Sequence, residues 1–314
     1  MNYAPVVLFV YNRPDHTRRT VEALKINILA SQSDLYIFSD APKKIEAAEA
    51  VWEVREYLKS INGFRSVHIV ERDKNWGLAN SIIDGVTRLC NEYGRVIVLE
   101  DDLITSPFFL NYMNDALDVY QDEEKVMHVS GYMFPVESPD KLPTTFFYRA
   151  STCWGWGTWK RSWDNFEVNA DLLLENIRSR NQEREFDVNN TMKFMAMLKS
   201  QSMGAIDSWA IRWYAKVFLK NGLCLHPAIS LVDNIGLDGS GIHCDSSEVY
   251  ASDLLNARLT RVDKLQEITE SPEGLAAIEK FNRTLMLPFI VRVYFGLIRR
   301  LKIFLAWIHN KESK

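Results

Sequence analysis

Within the first hundred residues, short apolar runs alternate with stretches of helical periodicity, and this constrains the fold more than any other feature. Residues 6–10 (Val-Val-Leu-Phe-Val) and 95–99 (Arg-Val-Ile-Val-Leu) are nearly continuous β-branched and apolar runs, the pattern of strands buried on both faces. Residues 35–38 and 67–70 read as two further strands. Between them, Pro14-Asp15 opens a helix with Val21, Leu24 and Ile28 at helical spacing, residues 43–60 are helical, and residues 75–93 are helical up to Gly94 as a left-handed stop. This order predicts an α/β fold, a mostly parallel sheet flanked by helices.

Ligands of such sheets sit beyond the carboxyl ends of the strands. Three strands deliver polar residues there: Asn12 and Arg13, then Asp40, then Glu100-Asp101-Asp102. Three adjacent acids repel one another unless a positive group neutralises them. A hard divalent cation, Mn²⁺ or Mg²⁺, suits carboxylate oxygens and usually brings a phosphate ester with it. The alternative is an acidic first turn placed against the dipole of a helix over residues 107–120. Neither G-x-x-x-x-G-K-[ST] nor a G-x-G-x-x-G after the first strand occurs, which argues against a P-loop NTPase and a dinucleotide-dependent oxidoreductase.

Beyond Leu103 the alternation loosens. Residues 126–129 read as a strand before the Gly131-Tyr132 turn, and a Trp/Gly cluster occupies residues 153–159. Helices are expected over residues 170–203, with a polar break at 181–185. A further helix runs from Asp207-Ser208-Trp209 to about 220, with Asp207 as N-cap. Short strands at 223–225 and 229–232 flank Pro227, and a glycine-rich loop covers 234–243.

In this order the residues resemble a family. Val96-Ile-Val-Leu-Glu100-Asp101-Asp102-Leu-Ile-Thr-Ser-Pro107-Phe108-Phe109 resembles the metal-binding strand of GT-A fold glycosyltransferases, and its Glu-Asp-Asp form is most similar to the N-acetylglucosaminyltransferase I-like family. Residues 7–13 resemble that family's first strand and arginine turn, and Phe38-Ser39-Asp40 its uracil-contacting segment. Val129-Ser130-Gly131 and Gly155-Trp156-Gly157 resemble two further segments, Asp207-Ser208-Trp209 the element holding the catalytic base, and residues 224–243 the last strands and histidine loop. The resemblance implies a metal-dependent, inverting transfer from a UDP-sugar to a glycan or lipid-linked acceptor. It implies that Asp102 ligates the metal, with His243 reaching the ion or diphosphate. Glu100 and Asp101 would hold ribose and donor sugar, Asp40 the uracil and Arg13 the diphosphate, with Asp207 as general base. Asn75 lies on the same sheet edge, and Trp154 and Trp156 are candidate sugar platforms. This chain has Ser208 where the family's base element has a second aspartate, and Tyr-Asn-Arg-Pro where its first strand ends in Cys-Asp-Arg. The rival readings are a nucleotidyltransferase or phosphodiesterase using the same carboxylates, and an inactive nucleotide-sugar-binding scaffold.

The expected organisation is a GT-A domain over residues 1–250, with a nucleotide-binding half (1–125) and an acceptor-binding half (126–250), then a helical extension over 251–314. Residues 280–314 carry +7, leaving −11 on the remainder of a chain whose net charge is −4. From Arg292, Tyr294, Leu297, Ile298, Leu301, Phe304, Leu305 and Ile308 share one helical face while Arg292, Arg299, Arg300 and Lys302 oppose it. That pattern fits an amphipathic tail on an anionic membrane surface, or a helix packed on the body or in a homodimer. A body this acidic excludes wholesale nucleic-acid binding. Cys90, Cys153, Cys224 and Cys244 form no C-x-x-C pair, and the first residues lack an export signal. Both fit a cytoplasmic protein, peripheral on the inner face of the membrane.

Overall fold

A computed structural model of the chain describes residues 3–237, 250–252, 254 and 257–286. In chain order the elements begin β1 (Val6–Val10), α1 (Pro14–Lys25), β2 (Asp34–Ser39), α2 (Ala48–Leu58), β3 (Ser66–Glu71), α3 (Leu78–Tyr93), β4 (Arg95–Glu100), β5 (Leu103–Thr105) and α4 (Phe109–Val119). They continue with β6 (Val126–Ser130), β7 (Thr145–Tyr148), β8 (Trp156–Trp159), α5 (Lys160–Trp163), α6 (Ala170–Ser179), α7 (Glu183–Phe186) and α8 (Phe194–Ser202). The last are α9 (Trp209–Leu219), β9 (Leu223–Pro227), β10 (Val232–Asn234) and α10 (Pro272–Leu285).

The expected α/β fold forms. Eight strands build one sheet in the order β3-β2-β1-β4-β8-β6-β9-β7. The first four are mutually parallel. β8 runs antiparallel between β4 and β6, β9 is parallel to β6, and β7 closes the far edge antiparallel. Both faces of β1 are covered, which is why it is apolar throughout. Val6, Leu8 and Val10 pack with Val21 and Leu24 of α1 and Val54 of α2, while Val7 and Phe9 pack with Ile82, Val86 and Leu89 of α3. A third cluster joins β7 to α6, α8, α9 and Ile278 of α10. Ser271 N donates to Phe147 O, and the Arg149–Glu270 ion pair also ties the segment before α10 to the sheet.

Three strands have no counterpart in the sequence reading: β5, β7 and β8. The Trp-Gly-Thr-Trp of β8 is a central strand because Gly157 lets it approach closely, and a Cβ there would come 2.9 Å from Met113 Cε and 3.1 Å from Val96 O. The helix expected from residue 75 starts at Leu78, since Gly77 has φ +74°. Among the described residues no helix is long and apolar enough to cross a membrane. The charged tail beyond Met286 and His243 lie outside the described residues.

Candidate active site

The parallel register aligns four strand ends: Val10 with Ser39, Ser39 with Glu71, and Phe9 with Glu100. The residues that follow each strand therefore gather on one edge. Two groups of contacts form there.

The first is built on the acids. The backbone turns at Asp101-Asp102 between β4 and β5, and Thr20 Oγ1 of α1 donates to Asp101 O, fixing that turn. Pro14 sets the first turn of α1, with Arg13 as its N-cap residue. From there one guanidinium nitrogen, Arg13 Nη2, donates to Asp101 Oδ1 at 2.5 Å and to Asp102 Oδ2 at 2.8 Å. The side chains of Arg13, Asp101 and Asp102 are only 23%, 8% and 15% exposed. Burial pushes the Glu100 carboxyl well above its ordinary value, and the charges of Asp102 and Asp101 push it further. Burial likewise raises Asp101 to about 6, against the pull of Arg13. Burial disfavours the Arg13 charge, but the two aspartates outweigh it and hold the guanidinium protonated.

A lid of main chain lies over this pair. β10 runs antiparallel to β5, with Asn234 opposite Leu103, and Ile235 N donates to Asp102 O at 2.9 Å. Gly236 N then donates to Asn234 Oδ1 at 2.7 Å. A Cβ on Gly236 would overlap Asp102 Oδ2 and lie 3.0 Å from Arg13 Nη1, so only glycine lets the turn come this close. Arg13 Nη1 is buried and has no hydrogen-bond acceptor among the described residues.

The second group surrounds Asp40. Its carboxylate accepts from Ala41 N at 2.9 Å, from Trp76 N at 2.8 Å and from Gly77 N at 2.8 Å, while Asn75 Nδ2 donates to Ala41 O at 2.7 Å. Asp40 thus occupies the anion position at the start of α3. Its expected acceptance from a uracil ring would share the carboxylate with these main-chain amides. Arg72, directly after β3, lies 3.9 Å over the Trp76 ring and pairs with Asp84. Arg55 Nη2 donates to Arg72 O at 2.7 Å. Asn12 is half-buried beside Arg13.

The remaining candidates are on the second half of the sheet. Trp156 lies opposite Val98 of β4 and is fully buried, its ring stacked 5.0 Å from Trp209 and 5.2 Å from His128. It is core, which corrects its reading as a sugar platform. Trp154 is half-buried, edge-on to Tyr132 at 4.5 Å and to Tyr250 at 6.0 Å. Asp207 does not cap α9: Ser208 Oγ accepts from Ile211 N. Asp207 is instead 61% exposed and accepts from Arg212 Nη2 at 2.9 Å, while the Trp209–Trp156 stack holds the start of α9 against the strand beside β4.

The residues brought together are therefore Arg13, Glu100, Asp101 and Asp102 on one side, and Asp40, Asn75 and Trp76 on the other. Arg55 and Arg72 have no counterpart in the sequence analysis, whereas Gly236 belongs to its glycine-rich loop over 234–243. For Arg72 a signal existed, a charge directly after the third strand. Among the described residues no three His, Cys, Asp or Glu side chains converge as a ready-made metal cage. An ion held by one or two carboxylates together with phosphate oxygens needs no such cage, and the hard oxygens of Asp102 and its neighbours fit that type.

No family model matches this chain, and no curated protein matches it. Solved structures similar to it include the mannosyltransferase PcManGT from Pyrobaculum calidifontis in complex with GDP-Man and Mn²⁺ (16% identity, 44% of this chain and 37% of that one, TM-score 0.30). Others are S. aureus TarS 1–349 (10% identity, 72% and 58%, TM-score 0.39) and glucosyl-3-phosphoglycerate synthase from Mycobacterium tuberculosis in complex with Mn²⁺, UDP and phosphoglyceric acid (10% identity, 57% and 65%, TM-score 0.32). The chain spans less than two thirds of the length of each.

Proposed function

We propose that this chain is a metal-dependent, inverting glycosyltransferase that moves a sugar from a UDP-sugar to a glycan or lipid-linked glycan. One observation carries the reading: at the carboxyl edge of four parallel strands, a half-buried arginine is paired to two carboxylates through one nitrogen while its other terminal nitrogen, itself buried, has no acceptor among the described residues. An unsatisfied buried cationic donor beside acids is suited to a diphosphate oxygen arriving with a metal ion.

In this reading Asp102 holds Mn²⁺ or Mg²⁺, and His243 belongs to the same ligand set. The ion, when bound, stabilises negative charge on the departing diphosphate. Arg13 binds that diphosphate, and Glu100 and Asp101 orient ribose and donor sugar. The loop fixed by Asp40 and Asn75 borders the base. Trp154 offers the acceptor an aromatic surface. Asp207 takes the proton from the acceptor hydroxyl as its oxygen bonds to the anomeric carbon and the bond to the diphosphate breaks on the opposite face. Residues 280–314 place the enzyme on an anionic membrane surface carrying the acceptor.

The test is release of UDP from a panel of UDP-glucose, UDP-galactose and UDP-N-acetylglucosamine with Mn²⁺. Asp102→Ala is expected to lower turnover about 10³-fold, about 4 kcal/mol in barrier height, with the thermal unfolding midpoint nearly unchanged. Equal turnover in Asp102→Ala and the unaltered chain would end the proposal.

A further inference from the structure

Arg13 places one nitrogen on two acids, while its other terminal nitrogen has no acceptor among the described residues. We infer that Arg13 is an internal counter-cation that keeps a free metal ion out of the carboxylate site until a nucleoside diphosphate draws the guanidinium away, so that ion and diphosphate enter as a pair. The inference rests on reading the site as a diphosphate–metal centre.

Three observations lead there. Arg13 Nη2 lies 2.8 Å from Asp102 Oδ2, so an ion on that oxygen would sit beside a fixed positive charge, and like charges at such range repel strongly in a poorly solvated site. The Gly236 turn covers the same oxygen, so the arginine is held in place from above. Meanwhile Arg13 Nη1 is buried without an acceptor among the described residues, and a phosphate oxygen would satisfy it through the planar fork that arginine presents to phosphates. A diphosphate therefore favours the arginine turned toward phosphate, and a metal ion favours the same state because it frees Asp102. Two ligands that prefer one state of a shared element bind cooperatively.

The experiment measures Mn²⁺ bound to the full chain by electron paramagnetic resonance of the free ion, with and without UDP, corrected by protein-free controls for Mn²⁺–UDP. In the unaltered chain UDP is expected to tighten Mn²⁺ binding about tenfold or more. In Arg13→Gln, Mn²⁺ alone is expected to bind about tenfold more tightly than to the unaltered chain, and UDP is expected to tighten it about tenfold less than it does there, the phosphate oxygens' own ligation being what is left. Arg13→Lys, which keeps the charge but not the fork, is expected to bind Mn²⁺ alone as weakly as the unaltered chain and to lose most of the effect of UDP. It serves as the deciding variant if circular dichroism shows Arg13→Gln unfolded. Equal Mn²⁺ affinity with and without UDP in the unaltered chain would overturn the inference. So would a folded Arg13→Gln with unaltered affinity for Mn²⁺ alone, or an Arg13→Lys that keeps the full effect of UDP. If no folded variant binds either Mn²⁺ or UDP, the diphosphate–metal reading itself fails.

Discussion

In the parallel half of the sheet, β3-β2-β1-β4, the charged groups of the candidate site gather at the strand ends, with Glu100 closing β4, Arg13 meeting Asp101 and Asp102, and Asp40 meeting the start of α3. In the mixed half, β8-β6-β9-β7, two histidines lie inside the strands. His128 of β6 and His226 of β9 are both fully buried, and burial pushes them down to about 3 and about 4. His128 can be satisfied as a neutral ring, accepting from Trp213 Nε1 at 3.2 Å and donating to Thr152 O at 3.0 Å. His226 faces two carbonyls, Tyr132 O and Ala150 O, each at 3.2 Å, and a neutral ring can donate to only one of them. The contrast teaches that one half keeps charge by compensating it at an edge, whereas the other buries polar atoms by keeping them uncharged. The charges that would meet a diphosphate stand at the first half's rim, and the interior of the second half supplies rigidity.

That division can be broken most severely at Trp156. Trp156→Ala is expected to destabilise the fold by about 3–5 kcal/mol, the cost of a large core cavity, read by urea unfolding. A variant of near-normal stability that lost only acceptor affinity would move this tryptophan from core to binding surface. Next comes Asp207, the charged group on the second half that the proposed mechanism needs. Asp207→Asn leaves the Ser208 cap intact and is expected to lower turnover about 10²-fold, about 2.7 kcal/mol in barrier. Its stability should change by less than about 1 kcal/mol, because the pair with Arg212 is largely solvated at the aspartate. Unchanged turnover would remove Asp207 from the mechanism.

The smallest effect is pH dependence. The histidines' ordinary value is 6.5, and their folded values are lower, so below 6.5 the unfolded chain binds protons that the folded one refuses. Their contribution is complete above pH 6.5 and is lost as pH falls toward about 4 and about 3, at about 1.4 kcal/mol per pH unit for each. The raised carboxyls of Glu100 and Asp101 act oppositely, adding stability as pH falls through their folded values toward the ordinary carboxylate range. His226→Gln is therefore expected to flatten the decline by about 2 kcal/mol between pH 6.5 and pH 5, measured by urea unfolding at each pH. A slope equal to that of the unaltered chain would show that His226 takes up its proton without cost.

How far the sequence carries depends on the same contrast. The strands of the parallel half are legible because each is apolar end to end and is punctuated by a helix, and their polar termini follow at once. The Glu100-Asp101-Asp102 run, Arg13 and Asp40 are placed on one edge by that logic alone. What Asp40 does there is not legible, since its partners are main-chain amides of Trp76 and Gly77, which carry no sequence signature. β8 is obscure for a different reason: its Trp156 reads as a surface for sugars until an antiparallel insertion between β4 and β6 buries it. Asp207 and Ser208 are equally good caps chemically, and backbone geometry makes the choice.

The turn at Gly236 reaches Asp102 only after β10 has laid itself along β5, and those two strands are separated by residues 106–231. Pairings so distant in sequence are late events in folding, because the loop they close must first be shortened by everything between. A chain still emerging from the ribosome would thus have its acids and its arginine in hand while their cover had yet to be synthesised. Assembly of the pocket becomes a check that the whole sheet has come together.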